Sequence, residues 1–323
     1  MSIPGSPEMS VIIVTDHYQT IRKTIRHLRT QTVKDRLEIV IVTPAATQLE
    51  LDDSELKDFL QVRVVEVGSL QSLSWARAAG VRQASAPVVG FVESHSYPAP
   101  GWAQALVEAH RQPWAAVGPA VNNANPGSPI SWASFLLDYG RWFAPTAAAV
   151  IDDLPGHNSS YKRQVLVDYG AELEAMLEAE SILHWDMQVK GYRLYLEPQA
   201  QIVHLNISRP SSWVPERYYA GRRFAAARAH RWSPLRRLLY AGGSPLIPLV
   251  RLPRILRDIR RSPRQRDLLP RVLPALIFSL VVSAVGEMVG YVFRSGDAME
   301  KLSKLELNKI PHLAKRDRQA EAA

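Results

Sequence analysis

The chain has 323 residues, of which 46% are hydrophobic and 22% charged, a balance typical of a folded globular protein with one large domain or two ordinary ones. It contains no cysteine, which excludes disulfide scaffolds, thiolate zinc sites, cysteine nucleophiles and iron–sulfur clusters, so any metal must be bound by His, Asp or Glu. The formal net charge is +8 at pH 7, and residues 209–271 alone carry sixteen arginines against three acids, so the basic surface is local.

The first two hundred residues alternate short apolar runs with amphipathic stretches, which is typical of a parallel or mixed sheet flanked by helices. The predicted elements are strands over 9–15, 37–42, 62–67, 87–93 and 115–121, and helices over 20–30, 52–59, 73–84 and 98–110. Residues 122–153 lack a clean period and predict a long loop or a broken helix. A helix over 171–190, ended by Gly191, precedes two predicted short strands over 192–196 and 201–205.

The Arg-rich stretch is suited to phosphate groups, because a guanidinium binds phosphate oxygens in a bidentate fork. Lipids, nucleotides and nucleic acid all offer such groups, and a merely solvated basic face is the alternative. The stretch adjoins apolar helices and lacks an RNA-binding motif, so we expect an anionic membrane surface as the partner and no nucleic acid. A basic stripe is predicted from the spacing of Arg251, Arg254, Arg257, Arg260 and Arg261.

One hydrophobic segment, residues 272–293, carries only Glu287 as a charged residue. As a helix it would be about 33 Å long, enough to cross a bilayer core. A re-entrant helix, an interfacial helix and a buried core helix are the other possibilities, because Pro274, Gly286 and Gly290 weaken a plain span. Residues 1–8 do not resemble a secretory signal, so we expect the protein at the cytoplasmic face of the cell membrane. The predicted domains are 1–230, a helical membrane-associating region over 231–310, and a polar tail over 311–323.

A carboxylate and an imidazole follow the fourth predicted strand. Glu93 and His95 are two residues apart, which can place both on one side of a short extended segment. The carboxyl end of a strand in an open α/β sheet is where ligands usually bind. The pair would suit Mg²⁺ or Mn²⁺ carrying a diphosphate, and the alternative is a structural loop.

The order of the motifs resembles that of family 2 glycosyltransferases with the GT-A fold, over residues 9–227. The segments that carry the resemblance are SVIIVTDH (10–17), RTQT (29–32), LEIVIVTP (37–44), LSWARAAG (73–80), FVESH (91–95) with PGW (100–102), GHNSSYKR (156–163) and AESILHWDMQVKGYR (179–193). The resemblance implies an α/β fold with a mixed, mostly parallel sheet flanked by helices.

The sequence departs from the family pattern at its acidic positions. Thr43 and Pro44 replace the aspartates that follow the second strand, so the choice of nucleotide base is open. The DxD motif has become Glu93-Ser94-His95, and the ED pair has become Ala179-Glu180. Because one acid survives at each position, an altered active enzyme is favoured over an inactive one.

The resemblance also implies roles for residues. Glu180 would be the catalytic base, with His184 one helical turn away on the same face, and His204 would join Glu93 and His95 as a ligand of Mn²⁺ or Mg²⁺. The nucleotide would be bound by Thr15, Asp16, Arg77, Glu93, Arg222 and Arg223. The acceptor would be bound by His157, Asn158, Trp185 and Asp186.

The implied activity is inverting transfer of a sugar from a nucleotide-sugar donor to a lipid-linked or saccharide acceptor of the cell envelope. The alternative is a non-catalytic subunit that binds sugar nucleotides or polysaccharide at the membrane.

Overall fold

The structure is a computed structural model that describes residues 5–260 and 267–322. The described chain divides into two compact units. The first comprises the described residues through Asn122 together with Ala144–His204, and the second comprises Asn123–Phe143 together with the described residues from Leu205 onward. The domain boundaries predicted from the sequence stay predictions.

A nine-stranded sheet forms the centre of the first unit, within the described residues. The strands are β1 (Met9–Val14), β2 (Leu37–Thr43), β3 (Gln61–Glu66), β4 (Val88–Phe91), β5 (Ser96–Pro98), β6 (Ala116–Asn123), β7 (Ala149–Ile151), β8 (Ser160–Lys162) and β9 (Leu194–His204). Their order is β3-β2-β1-β4-β8-β6-β9-β5, and β7 pairs with β9. Pairing is parallel from β3 to β4 and antiparallel from β4 through β8 to β6. This confirms the predicted α/β class with a mixed sheet flanked by helices.

The helices alternate with the strands in the first unit and dominate the second. In chain order they are α1 (Tyr18–Arg29), α2 (Asp53–Leu56), α3 (Leu73–Gln83), α4 (Trp102–Ala109), α5 (Pro129–Asp138), α6 (Arg163–Val167), α7 (Leu173–Leu177), α8 (Glu180–Val189), α9 (Pro210–Arg228), α10 (Pro234–Gly243), α11 (Ile247–Arg260), α12 (Leu269–Phe293), α13 (Ala298–Leu307) and α14 (Lys315–Ala322).

Hydrophobic pattern explains the elements beside the site. Every residue of β1 and β2 is buried, as expected for central strands covered on both faces. In α1 the buried Ile21, Ile25 and Leu28 repeat at helical spacing. The Ser72 side chain accepts a hydrogen bond from the backbone N–H of Trp75 and so caps the start of α3.

Two predicted elements differ from the structure around the site. The helix predicted over 171–190 is interrupted, because Ala179 is extended and Glu180 starts a new helix, α8. No Gly or Pro lies between Leu173 and Val189, so tertiary contacts rather than a local helix breaker set this interruption. The two predicted short strands are one strand, β9, whose first residues pair with β7 and whose last residues pair with β5.

Three further predictions need correction. Residues 122–153, predicted as a loop or broken helix, contain α5, which the Ser128 side chain caps, and β7. The helix predicted over 52–59 is only the four-residue α2, and the one predicted from residue 98 begins at Trp102, because Pro98 belongs to β5. Near the end of the described chain lies the helix α14, in which Asp317 is buried and accepts a hydrogen bond from Asn125.

In the second unit, α12 packs against α9, α5, α10 and α11. Among the described residues it is the one helix long and apolar enough to cross a membrane, by length and composition alone. Of the arginines in the predicted basic stripe, Arg254 and Arg257 are exposed on α11, and Arg251 lies 3.7 Å from Glu287. Arg261 lies outside the described residues, and the side chain of Arg260 is not described.

Candidate active site

Three buried ligand-type side chains meet at the carboxyl end of β4. Glu93 follows β4, His95 immediately precedes β5, and His204 ends β9. The antiparallel pairing of β5 with β9 sets Ser96 opposite His204, which draws the two imidazoles together. Glu93 Oε2 lies 3.2 Å from His204 Nε2 and 3.9 Å from His95 Nε2. The structure therefore brings together the three residues predicted as metal ligands.

The Glu93 carboxylate is ionised although it is only 7% exposed. Burial acts to raise its pKa, but the interactions with His95 and His204, which include a hydrogen bond with His204, outweigh burial and hold the pKa well below its usual value. Asn158 Nδ2 also donates a hydrogen bond to Glu93 Oε2 at 2.9 Å. An ionised carboxylate between imidazoles is the electrostatic state that a cation requires.

The donor set fits a divalent metal ion. One atom from each of Glu93, His95 and His204 lies within 4.8 Å of the others, close enough for one ion to reach all three. Two imidazoles with one carboxylate suit first-row divalent ions such as Mn²⁺ better than Ca²⁺, which prefers oxygen ligands. This cluster could therefore bind a metal ion.

A second cluster surrounds Glu180, in the first turn of α8. Arg77 Nη1, on α3, lies 3.2 Å from Glu180 Oε1, and His157 Nδ1 contacts the same oxygen. The position of Glu180 at a helix N-terminus favours its negative charge. A Cβ at Gly156 would overlap the Glu180 side chain, so only glycine lets this segment lie against it.

Consecutive residues connect the two clusters. His157 and Asn158 belong to one 3-10 turn, and they contact Glu180 and Glu93 respectively. The turn thus links the candidate base to the candidate metal ligands. The sequence assigned both residues to the acceptor, and the structure adds that they hold the two carboxylates in place.

A buried hydrogen-bonded chain supports this arrangement from behind. His184 Nδ1 lies 2.6 Å from Asp153 Oδ1, and His184 Nε2 lies 2.9 Å from the Tyr161 hydroxyl. Asp153 accepts from Nδ1–H, so Nε2 accepts from Tyr161. Burial first, and then the charges of Glu180 and Asp153, raise the pKa of Tyr161 well above its usual value, which keeps its proton in place.

The same chain ties the turn to α8. Ser181 Oγ donates to Asp153 Oδ2 at 3.0 Å, and Gln188 Nε2 donates to the Asp152 carbonyl at 2.6 Å. The segment that leads to His157 is therefore fixed to the helix that carries Glu180. The sequence analysis did not identify Asp153 or Tyr161 as part of the site. The acidic pair Asp152-Asp153, just before the GHNSSYKR segment, is the sequence feature that could have pointed to Asp153.

The other predicted site residues have individual positions. Thr15 is buried after β1 and donates to the His17 carbonyl, while Asp16 Oδ1 is buried without a hydrogen-bond partner among the described residues. On α8, Trp185 is 41% exposed. Asp186 accepts from the Tyr169 hydroxyl at 2.7 Å and pairs with Lys190. The roles predicted for these residues stay predictions.

Arg222 and Arg223 lie on α9 in the second unit. Arg222 Nε donates to the Arg294 carbonyl at 3.0 Å, and its Nη1 lies 3.5 Å from Asp297. Arg223 Nε is buried without a hydrogen-bond partner among the residues described. Their predicted contact with the nucleotide stays a prediction.

A solved structure shares this fold, and two others are similar to a lesser degree. The mannosyltransferase PcManGT from Pyrobaculum calidifontis, in complex with GDP-Man and Mn²⁺, superposes with a TM-score of 0.53 at 18% identity, over 88% of this chain and 87% of that one. GalNAc-T7 with UDP, GalNAc and Mn²⁺ gives 0.48 at 16% identity, over 61% of this chain and 43% of that one. Staphylococcus aureus TarS, residues 1–349 in complex with UDP, gives 0.46 at 17% identity, over 91% of each chain.

The curated protein sequences contain no match to this chain. The sequence model of glycosyl transferase family 2, in contrast, matches residues 10–170, about half of the chain and the part that holds Glu93, His95, Arg77, His157 and Asn158. By this match the chain belongs to glycosyl transferase family 2, as its motifs predict.

Proposed function

We propose that the protein transfers a sugar from a nucleotide-sugar donor to a hydroxyl of a lipid-linked or saccharide acceptor of the cell envelope, with inversion, at the cytoplasmic face of the membrane. The observation that carries the proposal is a pair of buried carboxylates. Glu93 lies beside two imidazoles, Glu180 lies beside Arg77, and the 156–158 turn contacts both. Family membership supports glycosyl transfer, and the motif resemblance supports inversion.

Glu180 acts as the base in this mechanism. The acceptor oxygen attacks the anomeric carbon while the bond from that carbon to the diphosphate oxygen breaks, and the electron pair of that bond leaves with the nucleoside diphosphate. The acceptor proton passes to the Glu180 carboxylate. Arg77 and His157 hold that carboxylate in one orientation, so its position does not depend on the substrate.

Glu93, His95 and His204 would hold the divalent cation, Mn²⁺ or Mg²⁺. When bound, such an ion supplies positive charge that stabilises the departing diphosphate. Asn158 keeps Glu93 oriented through its amide. The mannosyltransferase that shares the fold holds GDP-Man and Mn²⁺, and this supports a nucleotide-sugar donor and Mn²⁺ for this chain as well.

The acceptor would lie near the exposed side of α8. Trp185 is the large exposed aromatic group on that helix, and aromatic faces pack well against sugar rings. The His157 side chain is 25% exposed, so part of it is open to a ligand.

The decisive experiment is a screen of the purified full-length chain against UDP, GDP and dTDP sugars, with Mn²⁺, for release of the nucleoside diphosphate. We expect one donor class to be hydrolysed slowly without acceptor and faster with one. Glu180→Gln should lower the rate by about 10² to 10⁴ while nucleotide affinity stays within a few fold, because the amide keeps the shape and cannot accept the proton.

Glu172→Gln is the matched control, since Glu172 is exposed on the segment before α7 and should leave the rate unchanged. Near-normal turnover by Glu180→Gln would show that Glu180 is not the base. Nucleotide binding without any turnover across all donors and acceptors would instead identify a non-catalytic binding subunit.

A further inference from the structure

The face of α12 that packs on α9 is built from small and polar residues. It contains Ser279, Ser283, Gly286 and Gly290, all buried. A Cβ at Gly286 would overlap the Tyr218 carbonyl oxygen, and a Cβ at Gly290 would overlap that of Arg222. The two helices therefore touch backbone to backbone, which requires glycine at these positions.

The helix α9 cannot accompany α12 into a lipid core. It carries Glu216, Arg217, Arg222, Arg223 and Arg228 within thirteen residues. An ionised side chain at the bilayer centre is strongly unfavourable, so several on one helix are prohibitive. Arg217 is moreover committed to an ion pair with Asp138 on α5, at 2.7 Å.

The opposite face of α12 is apolar and exposed. It consists of Ile277, Val281, Val285, Met288 and Val292, each between 37% and 46% exposed. Their spacing of four, four, three and four residues keeps them on one stripe that runs about 22 Å along the helix. An exposed stripe backed by a buried polar face is the pattern of a helix that lies in an interface rather than one surrounded by lipid.

Exposed leucines and arginines occur on the two helices that pack beside α12. On α10, Leu235 and Leu239 are 79% and 71% exposed, and on α11 Leu249 is 71% exposed. Arg254 and Arg257 are exposed on α11. Exposed apolar groups together with guanidinium groups are complementary to the acyl boundary and the phosphates of an anionic leaflet, which favours lipid as the occupant.

We propose that α12 does not span the membrane and that its stripe, Ile277 to Val292, lies in the plane of an anionic lipid surface, so that the chain before α12 and the chain after it stay on the same side. This inference rests on the membrane location proposed above and specifies how the chain is attached to the membrane. Glycosyl transfer itself does not depend on it.

The absence of native cysteine gives a clean test of topology in the full-length chain. His230→Cys places one exposed thiol before α12 in the chain, and Asn308→Cys places one after it. The variants are expressed in a bacterial host, membranes are prepared as sealed inverted and right-side-out vesicles, and both are treated with a membrane-impermeant maleimide. We expect both variants to be labelled in inverted vesicles and neither in right-side-out vesicles.

Labelling of Asn308→Cys only in right-side-out vesicles would show that α12 spans, and would overturn the inference while leaving the membrane location intact. Absence of the protein from the membrane pellet would contradict the membrane location itself, without bearing on sugar transfer.

The stripe is tested separately by Val281→Asp with Val285→Asp. The double variant should bind phosphatidylglycerol vesicles at least about tenfold more weakly, because each charge must enter the interface. Val189→Asp is the control, since Val189 is 88% exposed on α8 in the first unit and should leave binding unchanged. Unchanged vesicle binding by the double variant, with a dimer converted to a monomer, would show that a second copy covers the stripe.

Discussion

Glu93 is a buried carboxylate whose charge is stabilised by a few neighbouring side chains. Two imidazoles and the Asn158 amide compensate the desolvation that would otherwise protonate the carboxyl. Loss of any one neighbour should therefore affect cation binding before it affects the fold.

His95→Ala tests this at the ligand set. We expect the Mn²⁺ concentration that half-saturates nucleotide binding to rise about tenfold or more, because one of three protein ligands is removed. Calorimetric titration of Mn²⁺ in the presence of nucleoside diphosphate measures the shift. His230→Ala, at an exposed position in the second unit, is the control. An unchanged midpoint would mean that the Glu93–His95 segment is only a loop.

A different buried imidazole predicts acid sensitivity of folding. His110 follows the last residue of α4, its Nε2 lies 2.9 Å from Ser160 Oγ, and burial, with a smaller contribution from the Lys162 charge, lowers its pKa to about 3. Below pH 6.5 the unfolded chain takes up a proton that the folded chain refuses until about pH 3. Stability contributed by neutral His110 is thus complete above pH 6.5 and is lost as the pH falls.

Between pH 6.5 and 5.0 the loss should be about 2 kcal/mol. His110→Gln keeps an N–H donor for Ser160 and removes the titration, so its unfolding free energy should fall by about 2 kcal/mol less over this range. Urea unfolding followed by circular dichroism at pH 7.0 and 5.0 measures the difference. Parallel losses in the two proteins would contradict the assignment.

At the scale of elements, the sequence predicts those whose pattern is local. β1, β2 and α3 are predicted from local sequence patterns, and the structure confirms them. The interruption before Glu180 was not predictable, because no helix breaker marks it and contacts with Arg77 and His157, distant in sequence, determine it. The ligand triad followed from Glu93 and His95 at a strand end, but only the family resemblance supplied His204.

The contact between α9 and α12 gives a stability prediction. Gly286→Ala should lower the unfolding free energy by about 1–3 kcal/mol or more, because the new Cβ overlaps a backbone oxygen that cannot move aside without separating the helices. Gly242→Ala is the matched control, as a Cβ there meets nothing within 4 Å and alanine is the better helix former. Denaturation midpoints measure both. Equal stability of the two variants would show that α9 and α12 are not in such close contact.

At the scale of the whole molecule, the sequence predicts the distribution of charge well. Residues 209–271 carry sixteen arginines against three acids, and this local positive surplus is larger than the net charge of the whole chain. The structure refines which of them are available: Arg217 and Arg251 face acidic groups within the second unit, whereas Arg254 and Arg257 are exposed. Sequence could not separate these classes, because the partners Asp138 and Glu287 are remote along the chain.

Arg254→Glu with Arg257→Glu should weaken binding to phosphatidylglycerol vesicles by about tenfold or more at 0.1 M salt, since each basic group near an anionic surface contributes about 1 kcal/mol. Lys57→Glu with Arg111→Glu, both exposed in the first unit, changes the net charge equally and should have little effect. Co-sedimentation with vesicles at several salt concentrations measures binding. Equal weakening by both pairs would mean that net charge, rather than this surface, controls binding.

The packing of α5 against α12 also has a consequence for synthesis on the ribosome. About 130 residues separate the end of α5 from the start of α12, so at about 5–20 residues per second the buried side of α5, with Phe135 and Leu136, emerges on the order of ten seconds before its partner exists. During that interval the nascent chain presents an apolar helix to the cytosol. Nascent chains arrested before residue 269 should therefore be captured by chaperones, and release should follow once α12 has left the exit tunnel.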